Sequence, residues 1–386
     1  ELYSEKVSQL FDAGKAYRCY CTSEELDKKR GEAQKKGLKP KYDGTCRERA
    51  DQPEGIPSVV RFKSPLDGSV VVEDLLRGKV VFDITELDDL ILQRTDGSPT
   101  YNFVVVVDDA DMGITHVVRG DDHLSNTPRQ CLLYDALNFP RPQFAHISMI
   151  LGQDKTRLSK RHGATSVLAY RDMGYLSSAM INYLARLGWS HGDQEIFSQE
   201  EMIQLFSFDS VNTSAAVFDP DKLSWLNEHY IKNTPPKELT RHLEPFLISK
   251  GILKEDHGLD VGEIAKVIPS LNQRAKTLAE MAEKSAFYFK KEVEFDEKAK
   301  AKFLIPEARP LLEKAIAGLS QLDNFSAEDI EALFNQVVKE EGMKLGKLAQ
   351  PIRVALTGAT VSPGIYDVIL LLGKEESLKR LNQALP

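Results

Sequence analysis

The sequence has 386 residues, 42% hydrophobic and 28% charged, with a formal net charge of -8 and a pI near 5.6. A chain of this length can bury two or more cores, and its acidic surplus argues against an indiscriminate nucleic-acid binder while leaving room for a selective one with cations gathered on one face. No apolar run approaches a membrane span and no charged-then-apolar leader opens the chain, so the cytoplasm is the expected compartment; four cysteines, three of them between Cys19 and Cys46, do not make a secreted disulfide framework.

From Leu2 to Ala13 the apolar residues Leu2, Tyr3, Val7, Leu10 and Phe11 keep helical spacing, and Gly14 closes that helix. Thr22 and Ser23 cap a second, very charged helix ending near Gly31 or Gly37. Cys19 and Cys21, with Cys46 after 24 intervening residues, invite a metal, because an ion can staple two loops of a segment with little core of its own. Reduced cysteines acting as small apolar residues are the other reading. Val59 to Lys63, Ser69 to Glu73 and Val80 to Ile84 read as short strands, giving a small mixed α/β insert.

The chemical centre runs from Tyr101 to Ala164. Phe103 to Val107 is apolar on consecutive residues, which predicts a strand buried on both faces; Thr115 to Val118 and Phe144 to Ile150 predict two more. Between those two, Asn126-Thr127-Pro128 opens a helix over Gln130 to Leu137, so strand, helix and strand make one crossover unit of a parallel sheet. Ligands of such sheets sit beyond the carboxyl ends of strands, where Arg119-Gly120-Asp121-Asp122 falls, although a charged solvated loop would look the same. After the third strand comes Thr156-Arg157-Leu158-Ser159-Lys160-Arg161-His162-Gly163. Three cations and a hydroxyl there suit the neutralisation of a polyphosphate whose charge builds on a leaving pyrophosphate.

The run Arg157 to Arg161 resembles the KMSKS signature of class I aminoacyl-tRNA synthetases, in the form found in glutamyl-tRNA synthetases. Thr100-Tyr101-Asn102-Phe103, Asp108-Asp109, Gly113-Ile114-Thr115-His116 and the run Arg119 to Gln130 are similar to the same family in the same order. The resemblance implies the second half of a Rossmann-like catalytic domain with an α/β insertion that holds the acceptor end of the tRNA. It implies that Lys160 holds the ATP phosphates with Arg157 and Arg161 assisting, that Ser159, Asp122 and Ile150 also meet ATP, and that Mg2+ accompanies the nucleotide. Glutamate would be met by Arg119, Tyr101 and His123, the last at a position that varies in the family. His146 reads as a strand residue rather than a catalyst. Some bacterial members bind zinc through a Cys-x-Cys and a later Cys-x-His; here Glu48 stands in the last position, so one Zn2+ on Cys19, Cys21, Cys46 and Glu48 and a set of plain reduced thiols both stay open.

Beyond the basic run the chain reads helical. Met180, Ile181, Tyr183, Leu184, Leu187 and Trp189 give one apolar face; Ser198 with Glu201 makes a capping box for a helix to about Phe206; and Phe218-Asp219-Pro220 starts another over Lys222 to Ile231. After Thr234-Pro235-Pro236, helices are expected over Glu238 to Lys250, Val261 to Leu271, Thr277 to Phe289, Pro310 to Leu319, Ala327 to Glu341 and Pro363 to Leu372. The basic segments Gln273 to Leu278 and Lys347 to Gly358 would pass for solvated faces by themselves. With Ser362-Pro363-Gly364-Ile365-Tyr366 they match the anticodon-binding helical cage of the family, which implies Arg274, Arg353, Pro363 and Ile365 as anticodon contacts.

The expected fold is therefore α/β plus all-α. Its divisions are 1–100 (end of a first catalytic segment and the acceptor-stem insertion), 101–154 (second half of the Rossmann-like domain), 155–235 (basic loop and helical stem-contact domain), 236–305 and 306–386 (two helical anticodon-binding domains). The reaction implied is ATP-dependent activation of L-glutamate to glutamyl-adenylate and transfer to the 3' end of tRNA(Glu), by a monomer. The opening at Glu1 and the lack of a His-x-Gly-His near it suggest a chain that begins inside a longer protein, and with it a rival reading: a tRNA-binding fragment without ligase activity. A nucleotide-binding enzyme unrelated to tRNA is disfavoured by the two anticodon-type segments.

Overall fold

The computed structural model describes residues 1–51, 53–163 and 166–386, so Ala164 lies outside the described residues. The chain divides into two compact units, the first made of residues 1–158, 186–195 and 202–218 and the second of residues 159–185, 196–201 and 219–386.

The first unit opens with α1 (Leu2–Asp12), β1 (Ala16–Cys19), α2 (Ser23–Lys35), β2 (Val59–Phe62), β3 (Ser69–Asp74), β4 (Gly78–Asp83) and β5 (Ile91–Gln93), then α3 (Tyr101–Asp111), β6 (His116–Gly120), α4 (Thr127–Ala136) and β7 (Gln143–Ile147). A reciprocal Thr22–Glu25 box starts α2, which runs through Gly31 because both its faces are wet and no packing is lost there. β1, β2 and β5 form one antiparallel sheet. The other sheet has the order β4-β3-β7-β6, with β6 and β7 parallel on either side of α4, which is the expected crossover. The β3–β4 hairpin, expected inside the insert, instead joins this second sheet, because β3 runs parallel to β7 with Asp74 against Phe144.

Phe103 to Val107 is also not a strand. It lies in α3, whose Phe103, Val106 and Val107 are buried and keep the i, i+3, i+4 spacing of a helix face, while Asp108, Asp109 and Asp111 hold the other side. Four consecutive valines favour a strand locally, and packing overrides that preference: Phe103 and Val106 have no exposed area in a core shared with Leu10, Leu92 and Leu133.

The remaining helices are α5 (Val167–Asp172), α6 (Ser177–Gly188), α7 (Gln199–Leu205), α8 (Pro220–Asn233), α9 (Pro236–Ser249), α10 (Val261–Ala265), α11 (Ile268–Leu271), α12 (Leu278–Phe289), α13 (Glu297–Phe303), α14 (Arg309–Gln321), α15 (Ala327–Glu340), α16 (Leu345–Thr357), α17 (Ile365–Leu372) and α18 (Lys374–Gln383). The helix expected over Val261 to Leu271 is broken in two, since Pro269 has no N–H to continue the ladder and starts α11 in its first turn. Among the described residues of the second unit, one core gathers around Leu239, Leu243, Ile268 and Met281 and another around Leu312, Phe334, Leu348 and Val368. Between α12 and α18, the buried Arg380 donates to the carbonyls of Phe287 (2.7 Å), Leu356 (2.9 Å) and Lys290 (2.9 Å) and to Glu376 (2.7 Å). Helix α16 stops at Gly358, whose φ of 76° and close approach to Glu294 leave no room for a Cβ, which would stand 1.9 Å from that carbonyl oxygen. Among the described residues no helix is long and apolar enough to cross a membrane.

Candidate active site

The parallel register sets Arg119 on β6 beside His146 on β7. After Arg119 the chain must turn at Gly120, where a Cβ would lie 2.6 Å from Asp122 Oδ1, and one turn of 3-10 helix (Asp121–His123) leads into α4. Thr127 and Gln130, a helical turn apart on α4, are both buried and face the sheet. Arg119 therefore meets three polar groups. Its Nη2 donates to Thr127 Oγ1 (2.8 Å) and Gln130 Oε1 (2.7 Å), and its Nε donates to His146 Nε2 (3.3 Å). Gln130 Nε2 in turn donates to Asn102 Oδ1 (2.9 Å), in the first turn of α3.

Behind this fork, His146 Nδ1 lies 2.6 Å from Asp74 Oδ2, and neither side chain has exposed area. Burial pushes the Asp74 carboxyl up, but the His146 hydrogen bond and the backbone N–H groups of Leu76, Arg77 and His146 outweigh it and hold the group below its ordinary value. Burial likewise pulls the Arg119 guanidinium and the His146 imidazole below theirs. Arg77, aimed by the turn that Asp74 caps, donates to Asp121 Oδ2 at 2.7 Å.

Tyr101 is half exposed, its ring centroid 6.0 Å from that of His123. Asp122 is paired with Arg157 (3.1 Å) and stands 4.0 Å from His123. Ile150 and Leu158 bracket a hairpin, Leu158 N–H donating to Ile150 O at 2.9 Å and Gly152 N–H to Thr156 O at 2.8 Å. The first unit thus gathers Tyr101, Arg119, Asp122, His123, Ile150 and Arg157. Ser159, Lys160 and Arg161 open the second unit, where a capping box of Ser159 with His162 orders their turn and Lys160 is exposed. Sequence reasoning passed over Asn102, Thr127, Gln130 and Asp74, and took His146 for a plain strand residue.

Cys19, Cys21 and Cys46 bring their sulfurs within 4.8 Å of one another, a group able to hold a metal ion. Glu48 is not part of it: its exposed carboxylate sits on Lys63 Nζ at 2.9 Å. Beside the three sulfurs lies Tyr42, whose hydroxyl accepts from Cys19 Sγ (3.3 Å) and from Cys46 N–H (2.9 Å) and lies 4.0 Å from Cys21 Sγ, its ring covered by Arg61. Burial, with the hydrogen bond to Cys46, raises the Cys21 thiol to about 12. Cys46 is carried below its ordinary value, because the hydrogen bonds from Tyr20 N–H and its cysteine and tyrosine neighbours outweigh burial.

Residues 1–225 match the family model described as "tRNA synthetases class I (E and Q), catalytic domain", and residues 238–385 match an anticodon binding domain. The chain is 55% identical over 384 residues to a glutamate–tRNA ligase of Geotalea uraniireducens, covering 100% of this chain and 81% of that protein. It belongs to the glutamate–tRNA ligase family. A second such ligase, from Geobacter sulfurreducens, is 54% identical over 383 residues, again with 81% of its length covered. Among solved structures, a glutamate tRNA ligase of Elizabethkingia meningosepticum in complex with its amino acid superposes with a TM-score of 0.82 at 32% identity, over 99% of this chain and 82% of that one.

In this member of the ligase family, the region matching the anticodon binding domain holds a cavity of about 620 Å³ lined by Arg274, Lys284, Phe287, Lys290, Val361 and Pro363 among others. Arg274 is exposed there. Arg353 turns inward, its Nη1 donating to the carbonyl of Pro363 (2.8 Å) and to Ser362, while its buried Nε has no hydrogen-bond partner among the described residues. Burial, and the like charge of Arg274, pull the Arg353 guanidinium below its ordinary value. Pro363 and Ile365 are buried, so their side chains shape the turn from inside, and Val361 is the exposed apolar residue beside them.

Proposed function

We propose that this chain carries glutamate–tRNA ligase activity. What supports the reading most is 55% identity along the whole chain to a protein of that name, with the buried fork behind Arg119 as the geometric reason. Glutamate's carboxylate attacks the α-phosphate of ATP and pyrophosphate leaves; a hydroxyl of the terminal ribose of tRNA(Glu) then attacks the glutamyl carbonyl of the adenylate, and AMP leaves. The protein's share is positioning and charge neutralisation. Arg119 receives a carboxylate of glutamate through Nη1, the nitrogen with no partner among the described residues, and the half-exposed Tyr101 hydroxyl orients the amino acid beside His123. Lys160 neutralises the phosphates with Ser159, Arg161 and Arg157 assisting, and Asp122 and Ile150 meet the nucleotide. Mg2+ enters with ATP as part of that substrate. The insert holds the acceptor end, residues 155–235 the stem corner, and the two C-terminal helical segments, 236–305 and 306–386, the anticodon.

The test is charging of tRNA(Glu) transcripts with glutamate by the full-length protein, repeated with anticodon variants. Arg274→Ala is expected to change discrimination among those variants by roughly 1–3 kcal/mol, the scale of one base contact. A uniform loss across every anticodon would assign Arg274 to phosphate instead.

The thiol group fits zinc. A tetrahedral ion with bonds near 2.3 Å sets its sulfurs about 3.8 Å apart, and Cys21 Sγ to Cys46 Sγ is 3.6 Å. Zn2+ held by Cys19, Cys21, Cys46 and the Tyr42 oxygen would tie β1 to the turn before Cys46, a structural role. Elemental analysis after dialysis is expected to give near one zinc per chain. Tyr42→Phe should weaken retention roughly tenfold or more, and Glu48→Gln should leave it unchanged; background metal in the parent returns the cysteines to simple packing.

A further inference from the structure

We propose that Asp74 and His146 are a positioning pair that locks the guanidinium of Arg119 in the orientation that receives glutamate, an inference that rests on the glutamate-binding reading of Arg119. Asp74 Oδ1 is occupied by the N–H groups of Leu76 (3.0 Å), Arg77 (3.0 Å) and His146 (3.3 Å), and Oδ2 by the imidazole (2.6 Å). A carboxylate so surrounded only accepts, so the imidazole proton sits on Nδ1 and Nε2 presents a lone pair. That lone pair faces Arg119 Nε at 3.3 Å and Thr127 Oγ1 at 3.0 Å.

Two of the three guanidinium nitrogens are thereby fixed before any ligand arrives, and Nη1 is left over. Fixing a side chain in its bound orientation removes an ordering cost from binding. Four polar residues are buried to build this arrangement: Asp74 4%, Thr127 0%, Gln130 1% and His146 0% exposed as whole residues. Apolar residues would join β3 to β7 at lower desolvation cost. Four hydrogen bonds of the cluster end on residues of the site, three on Arg119 itself and, through Gln130, one on Asn102. An imidazolium would break the lock, since Nε2–H would then oppose Arg119 Nε–H. Burial and the nearby charges of Arg119 and Arg77 hold the ring neutral against the pull of Asp74.

Two substitutions separate positioning from plain packing. In His146→Gln the side-chain carbonyl reaches the place of Nε2 and still accepts from Arg119; in His146→Asn the carboxamide reaches the place of Nδ1, keeps its donor on Asp74 and leaves Arg119 Nε without an acceptor. With the full-length protein, His146→Asn is expected to raise KM for glutamate about tenfold, as for loss of one charge-assisted hydrogen bond, with KM for ATP and for tRNA unchanged within error. His146→Gln is expected to stay close to the parent. Equal rises in both variants, no rise in either, or a common fall in kcat with all KM values shifted would overturn the proposal. Arg119→Lys guards the underlying reading: an unchanged KM for glutamate in that variant removes Arg119 from the amino-acid site, whereas a raised KM there with both His146 variants at the parent value removes only the positioning pair.

Discussion

Lys160→Ala slows glutamate-dependent pyrophosphate exchange about a hundredfold, since removing one charge aimed at the transition state costs on the order of 3 kcal/mol. The substitution touches little else. The turn that carries Lys160 is set by Ser159 N–H on His162 Nδ1 (3.0 Å) and His162 N–H on Ser159 O (2.9 Å), neither involving the lysine side chain, which is exposed. Affinity for tRNA should therefore stay within a factor of two, as measured by filter binding on the same preparation. Exchange at the parent rate would remove Lys160 from the phosphate site; a parallel loss of tRNA affinity would make it an RNA contact.

Arg380→Met is expected to be the most destabilising of the changes considered, by roughly 4 kcal/mol. Arg380 is 3% exposed and caps three backbone carbonyls from two helix ends, those of Phe287 and Lys290 at the end of α12 and of Leu356 at the end of α16. Those ends have no further turn to supply donors, so a methionine of similar reach leaves buried acceptors dry at about 1–3 kcal/mol each. Urea unfolding followed by helical ellipticity measures the change, with Arg171→Met as the control, because the Arg171–Asp172 pair is exposed on both sides and worth little. A loss below 1 kcal/mol for Arg380→Met would mean that those carbonyls find other donors.

What could be read in the sequence followed from local signals. Asn126-Thr127-Pro128 announces α4, the Ser198–Glu201 box announces α7 and is formed in both directions, and the apolar runs on either side of α4 are the two parallel strands. The valine run failed because strand preference and helix-face spacing coincide at Phe103, Val106 and Val107, and only the surrounding core decides between them. The groups behind Arg119 were not legible for a different reason. Asp74 and His146 stand 72 residues apart, and an aspartate before a turn or a histidine in a strand carries no mark of its partner. The thiol group shows the same limit: the family resemblance pointed to Glu48, two residues after Cys46, whose carboxylate lies on Lys63, while the side chain folded against the sulfurs is Tyr42, four residues before Cys46. Arg274 and Arg353 looked alike as basic helix edges, yet one is exposed and the other braces a turn.

The parallel pairing of β3 with β7 also governs how the molecule comes into being. At about 5–20 residues per second of synthesis, the 72 residues from Asp74 to His146 put roughly 4 to 14 s between the emergence of the hairpin and that of the strand it pairs with. During that interval the β3 edge offers its backbone donors and acceptors to any neighbouring strand, and its valines have no sheet to lie in. The hydrogen-bonded fork at Arg119 thus assembles only once β7 has emerged, and the nascent hairpin, rather than the finished enzyme, is where chaperone capture or misassociation would first act.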